Sequence, residues 1–152
     1  MVYEGCDKKI AKDACEKEWQ RDWETSEQAI WTKKLIKNLC QWRNRKHGEI
    51  NYHLTQLFTG HGIFRNYLKR FAVAETENCW YCEETDSPDH TFFKCRTSVN
   101  ARRDLNTKMG QEINADNIVE NMLKSKTNWS EIETYVTTIL KKKIAKQKEM
   151  QQ

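Results

Sequence analysis

Cys79, Cys82, His90 and Cys95 form a C-x2-C-x7-H-x4-C cluster within seventeen residues. Three thiols and an imidazole are soft or borderline ligands, a set that closes a tetrahedral zinc site and leaves no coordination position for a substrate. The four residues therefore read as the ligands of one structural Zn2+, a staple that does no chemistry of its own. The Cys79-Trp80-Tyr81-Cys82 loop is short enough to bring two thiolates onto one ion. Ser87-Pro88 reads as the N-cap and first position of a short helix that carries His90. His90 and Cys95 are five residues apart, about 140° from alignment on an ideal helix, so they converge only if that helix distorts or ends between them.

Other chemistry is hard to find. There is no Tyr/Phe-x-Asp-Asp motif, and nothing else offers a carboxylate pair for two-metal phosphoryl transfer. Pro88-Asp89 has no Glu-x-Lys or Asp-x-Lys partner at a workable distance to complete a nuclease site. The expectation is a chain without catalysis, and no small-molecule substrate.

The formal charge is +4, but its distribution is uneven. From Lys33 to Arg70 nine cations (Lys33, Lys34, Lys37, Arg43, Arg45, Lys46, Arg65, Lys69 and Arg70) face one acid, Glu49. From Phe71 to Cys95 six acids face Lys94 alone. Three thiolates on one dication would leave the zinc site at a net charge of −1 within this acidic stretch. Phosphate binding depends on Lys and Arg displacing counterions, so the nine cations, and not the knuckle, are the candidate nucleic-acid contacts. A second basic cluster, Lys141 to Lys148, fits either a nucleic-acid grip or the solvated face of a terminal helix. Trp80 and Tyr81 fit either stacking on unpaired bases or packing on the module's own helices. His61, between two glycines, reads as a turn residue or as a group approaching a phosphate or base.

The elements that must position these residues are mostly helical. One proline and five glycines in 152 residues argue against a turn-rich β fold. Residues 1–50 read as Trp-rich amphipathic helices: one near Asp7–Glu24 with Trp19 and Trp23 on one face, and a second capped at Thr25-x-x-Gln28 carrying Trp31, Leu35 and Leu39. Residues 51–72 read as a helix-turn-helix-like pair around Gly60-His61-Gly62, 73–98 as the zinc knuckle, and 99–152 as C-terminal helices with a basic tail. Within that last part, Val99–Met109 is one helix with Arg102 and Arg103 exposed. Asn114 or Asp116 caps the next, and Ser130-x-x-Glu133 caps the last. No apolar stretch approaches the roughly 20 residues that span a bilayer, and the N-terminus has no secretory h-region. With Cys6, Cys15 and Cys40 scattered outside the quartet, cysteine usage fits a reducing compartment, hence an intracellular protein of nucleus or cytoplasm without a membrane partner.

Trp19, Trp23, Trp31-Thr32, Leu35-Ile36, Trp42, His47-Gly48-Glu49, Tyr52, Leu54-Thr55-Gln56, Thr59-Gly60-His61-Gly62, Phe64, Tyr67-Leu68, Arg70-Phe71, the quartet, Arg102-Arg103 and Trp129 occur in that order. Taken together, this stretch, Trp19 to Ile144, resembles the C-terminal region of non-long-terminal-repeat retrotransposon reverse transcriptases, above all the insect clade that inserts into ribosomal DNA and telomeric repeats. The resemblance implies an accessory segment beyond the polymerase thumb that handles RNA or DNA during target-primed reverse transcription, with Cys79, Cys82, His90 and Cys95 as metal ligands and the thumb of the parent polyprotein as a partner. It also marks departures. Ala29 and Glu83 stand where glycine is common, Lys37 where proline is common, and Ile63 where cysteine is common. Two other readings remain open: a zinc-stapled docking module that uses the Trp-rich N-terminal helices, and a truncated genomic copy without a selected role, suggested by Met1 opening an internal-looking segment.

Overall fold

The computed structural model describes residues 3–151, with side chains from Asp7 onward; the side chain of Cys6 lies outside the described residues. Nine α-helices and one 3-10 turn make up the described chain, with no strand among them. A long α1 (Tyr3–Thr25) leads into the short α2 (Ile30–Leu35) and α3 (Leu39–Arg43), then α4 (Tyr52–Thr59) and α5 (Arg65–Arg70). After an irregular segment come α6 (Pro88–Phe93), a 3-10 turn (Arg96–Ser98), α7 (Val99–Met109), α8 (Ile118–Lys124) and the 25-residue α9 (Lys126–Met150).

The amphipathic stripe of α9 organises the core. Trp129, Ile132, Tyr135, Val136, Ile139 and Leu140 are buried along it, at the three- and four-residue spacing that lines one helix face. They meet Leu54, Leu57 and Phe58 of α4, Phe92 of α6, and Ile118 and Met122 of α8 in one cluster. Tyr135 donates its hydroxyl to Phe92 O at 2.5 Å, which fixes α6 on α9. Burial raises the pKa of that phenol well above its ordinary value, and the nearby Arg102 guanidinium only partly offsets this.

The structure departs from the sequence expectation in several places, and Leu39 opens α3 instead of sharing a helix with Trp31 and Leu35. Thr25 donates its hydroxyl to Arg21 O and so closes α1; α2 instead starts from Ala29, in the left-handed region at φ 53°, with no side-chain cap. α9 begins at Lys126, capped by Ser125 accepting from Asn128 N, so Ser130 lies inside the helix. Arg102 is half-buried and donates to Cys95 O at 2.7 Å, whereas Arg103 is exposed as expected. Gly48 marks the expected break, at φ 92° against the ring of Trp129. Trp23 and Trp31 turn inward, donating their indole N–H groups to Ile36 O and Leu57 O, while Trp19 stays 47% exposed.

Candidate metal centre and its surroundings

The two halves of the quartet come from different local structures. Cys79 and Cys82 sit in a tight reversal: Asn78 and Thr85 form an isolated antiparallel bridge, Cys79 N donates to Glu84 O at 2.7 Å, and Asp86 N to Glu77 O at 2.7 Å. Glu83 completes the turn at φ 59°. His90 lies on α6, whose first turn is fixed as the sequence suggested, with Pro88 at its start and Ser87 Oγ accepting from His90 N. The helix then ends: the amides of Lys94 and Cys95 both donate to His90 O, and Cys95 leaves in an extended conformation. Ending between the two ligands overcomes their angular mismatch.

The four ligand atoms lie within 4.8 Å of one another, with Cys79, His90 and Cys95 buried and Cys82 half-buried. Cys79 and Cys82 Sγ are each 3.8 Å from Cys95 Sγ. Ligands at a zinc–sulfur distance of ~2.3 Å define a tetrahedral edge of about 3.8 Å, so the sulfurs stand at the separation one ion requires. Neither nitrogen of the 4%-exposed His90 ring has a hydrogen-bond partner. Nδ1 is 3.3 Å from Glu84 Oε2, within ion-pair distance but outside hydrogen-bond geometry. A buried imidazole with two unpartnered nitrogens is costly unless something coordinates it. The residues fit a single metal ion.

The surroundings tune the thiols unequally. Burial pushes the Cys79 pKa up to about 11, against the amides of Tyr81 and Cys82, which favour the thiolate. Burial also raises Cys95, but hydrogen bonding from Thr97, Cys79 and Cys82 outweighs it and leaves the pKa below the ordinary thiol value; Thr97 Oγ1 is 3.0 Å from its sulfur. Thr97, and Glu84 beside His90, are supporting residues that the spacing of the quartet did not reveal.

Asp86, fully buried, joins the knuckle to the helices around it. Its carboxylate accepts from Arg65 N at the start of α5, from Thr91 Oγ1 on α6, and from Lys143 Nζ on α9. One lysine of the C-terminal basic cluster is thus turned inward. Trp80 and Tyr81 are likewise engaged within the chain: the Arg65 guanidinium lies 3.6 Å from the Trp80 ring centroid, and Lys146 Nζ 5.5 Å from that of Tyr81. Arg96 donates to Tyr81 O.

The nine candidate contacts divide into two sets. Arg65 also donates to Asn78 O and Thr76 Oγ1. Arg45 lies over the Trp42 ring and donates to Gly48 O and Trp42 O. Arg43 covers Trp19, and Lys37 pairs with Asp116 on the surface. Lys33, Lys34, Lys46, Lys69 and Arg70 form no ion pair with an acid among the described residues. His61 sits in the turn that links α4 to α5. Gly60 caps α4 in the left-handed region, and Gln56 Oε1 accepts from Ile63 N. A Cβ on Gly62 would meet Gln56 Oε1 at 2.2 Å.

No helix among the described residues is long and apolar enough to cross a membrane. No protein-family model matches the sequence, and no solved structure matches it. Over 118 residues the chain is 26% identical to a retrovirus-related Pol polyprotein from type-1 retrotransposable element R1 4 of Nasonia vitripennis, a match taking in 77% of this chain. The chain spans 30% of the length of that relative. This distant likeness to a retroelement polyprotein supports a retrotransposon origin for the chain.

Proposed function

We propose that this chain is a non-catalytic accessory module of a retroelement reverse transcriptase, stapled by one structural Zn2+ on Cys79, Cys82, His90 and Cys95. It binds and positions RNA or DNA during target-primed reverse transcription. The observation that carries the reading is the likeness to a retrotransposon Pol polyprotein over most of the chain. The donor set supports zinc over harder cations, since three thiolates and an imidazole select a soft or borderline ion. The cations that pair with no acid among the described residues support contact with phosphate. When bound, zinc supplies cross-linking of the Cys79–Cys82 turn to α6 and the segment after it. Around it, Thr97 polarises the Cys95 sulfur, and Asp86 ties the knuckle to α5, α6 and α9.

The test is binding of labelled single-stranded and duplex RNA and DNA by the zinc-loaded chain across a salt series. Counterion release predicts log K falling linearly with log salt, with a slope proportional to the number of phosphates contacted. No binding at low salt sinks the proposal. The docking alternative draws less support, because Trp23 and Trp31 pack within the chain.

A further inference from the structure

Between α2 and α5 lies an open groove of about 370 Å3 whose walls include Trp31, Gly60, His61, Asn66, Tyr67 and Arg70. Its size falls in the roughly 300–1,000 Å3 range of small-ligand sites, and three of its features point to one ligand chemistry. The first is a ladder of rings. His61 stacks on Tyr67 at 4.5 Å and 18°, and Tyr67 meets Phe71 edge-on at 5.0 Å. His61 is exposed and Phe71 is 61% exposed, so the ladder ends in aromatic surface open to solvent. The second is an unpartnered acceptor: Asn66 Oδ1 is buried without a hydrogen-bond partner, although Asn66 N is satisfied by Asp86 O. The third is charge. Arg70 is the one Lys, Arg, Asp or Glu lining the groove, and Lys33, Lys34 and Lys69, on the helices that form it, pair with no acid among the described residues.

We infer that this groove is a stacking site for an unpaired base of single-stranded RNA or DNA. A nucleobase has a flat face for His61, an N–H donor for Asn66 Oδ1 once that side chain turns toward the groove, and an adjoining phosphate for Arg70. Every base has a π-face and at least one N–H donor, so the site accepts bases without reading sequence. A base paired inside a duplex offers neither its face nor its pairing-edge N–H, so the groove selects single strands. The inference rests on the nucleic-acid reading above and names the form of nucleic acid and the residues that take it. It also assigns a use to the Gly60-His61-Gly62 turn, whose glycines hold His61 at the mouth of the groove.

The test uses the zinc-loaded full chain and fluorescently labelled strands of about twelve nucleotides, within the site sizes of single-strand binders. The probes are oligo(dT), oligo(U), an abasic strand with the same phosphates, and a duplex. The expected result is base-bearing strands binding about tenfold tighter than the abasic strand, with the oligo(dT) and oligo(U) arms separating DNA from RNA. His61→Ala, at an exposed position, is expected to remove that preference while leaving the salt slope unchanged. Arg70→Gln is expected to reduce the slope by about one and keep the preference. Equal binding of abasic and base-bearing strands, or His61→Ala behaving as the parent chain, overturns the groove assignment and leaves the accessory reading standing. Unchanged strand binding with altered self-association in His61→Ala gives the groove to a protein segment and overturns it as well. Absence of binding to every probe at low salt overturns both readings.

Discussion

Lys143 Nζ lies 2.5 Å from Asp86 Oδ2, joining the C-terminal half of α9 to the Cys3His knuckle through an ion pair in which Asp86 is 1% and Lys143 11% exposed. The two are 57 residues apart. The carboxylate also accepts from Arg65 N and Thr91 Oγ1, so its lone pairs are well used. Buried pairs of this kind contribute little net stability over an apolar pair, but breaking one leaves a charge stranded. Lys143→Met should therefore cost about 3–5 kcal/mol, read by urea unfolding. Asp86→Asn with Lys143→Met should recover a substantial part of that loss, because no charge is then left behind. A Lys143→Met chain as stable as the parent would show that the pair does not hold the knuckle to α9.

Metal uptake should expel protons. In the metal-free chain burial holds the Cys79 thiol protonated up to about pH 11, whereas the ligand must be a thiolate. Cys95, held below the ordinary thiol value, surrenders its proton more readily. Apparent affinity for zinc should thus rise with pH between 6 and 8, by at least about tenfold per pH unit from Cys79 alone. Titration with Co2+ as a spectroscopic substitute should give thiolate charge-transfer bands saturating at one ion per chain. Affinity that does not change with pH, or saturation at two ions, would contradict a single Cys3His site.

Chelation tests the staple itself. Structural zinc sites contribute roughly 10–16 kcal/mol in finger peptides at neutral pH, and here the ion would also satisfy one of the two unpartnered nitrogens of His90. A strong chelator, or Cys79→Ser, should unfold the segment from about Glu77 to Ser98 and lower the melting temperature. Hydrogen exchange would show the loss beginning at Cys79 N and Cys95 N, whose bonds to Glu84 O and His90 O define the site. Identical exchange with and without chelator would mean that the knuckle holds itself together.

Much of this site was legible because short-range chemistry specifies it. The quartet's spacing, the Ser87-Pro88 start of α6 and the need for that helix to distort or end before Cys95 all follow from residues within one or two turns. What was not legible depends on long-range packing. Arg45, Arg65 and Lys143 read as surface cations in sequence, and only the fold shows them against Trp42, Trp80 and Asp86. Arg102 gave no sign of its bond to Cys95 O across seven residues. The start of α9 was missed because Ser130-x-x-Glu133 and Ser125 offer comparable local caps. Burial of Trp129 beneath Gly48 decides between them, and no local pattern encodes that contact.

Two non-glycine residues in left-handed turns carry a stability prediction. Ala29 and Glu83 adopt φ of 53° and 59°. In the left-handed region a Cβ crowds the following carbonyl, at about 1–2 kcal/mol for a non-glycine residue. The extra freedom of glycine in the unfolded chain offsets part of this. Ala29→Gly and Glu83→Gly should each stabilise by about 1 kcal/mol, or about 2–4 °C in Tm for a chain of this size. A loss of stability in both would show that these turns tolerate the side chain without strain.

The opposite substitution at Gly48 should be severe, and a second glycine separates its two causes. At Gly48 φ is 92°, and an added Cβ would lie 2.3 Å from Cδ2 of Trp129, a 3%-exposed ring stacked on Trp42 at 5.9 Å. At Gly110 φ is 71°, but an added Cβ meets nothing within 4 Å. Gly110→Ala therefore reports the backbone cost alone, about 1 kcal/mol. Gly48→Ala adds the overpacking of a full core, typically 1–3 kcal/mol, for a total of about 3 kcal/mol by denaturant unfolding. It should also shift tryptophan fluorescence as the Trp42–Trp129 stack opens. Equal losses at the two positions would mean that Trp129 moves aside freely, and that the His47-Gly48 break does not depend on close contact with α9.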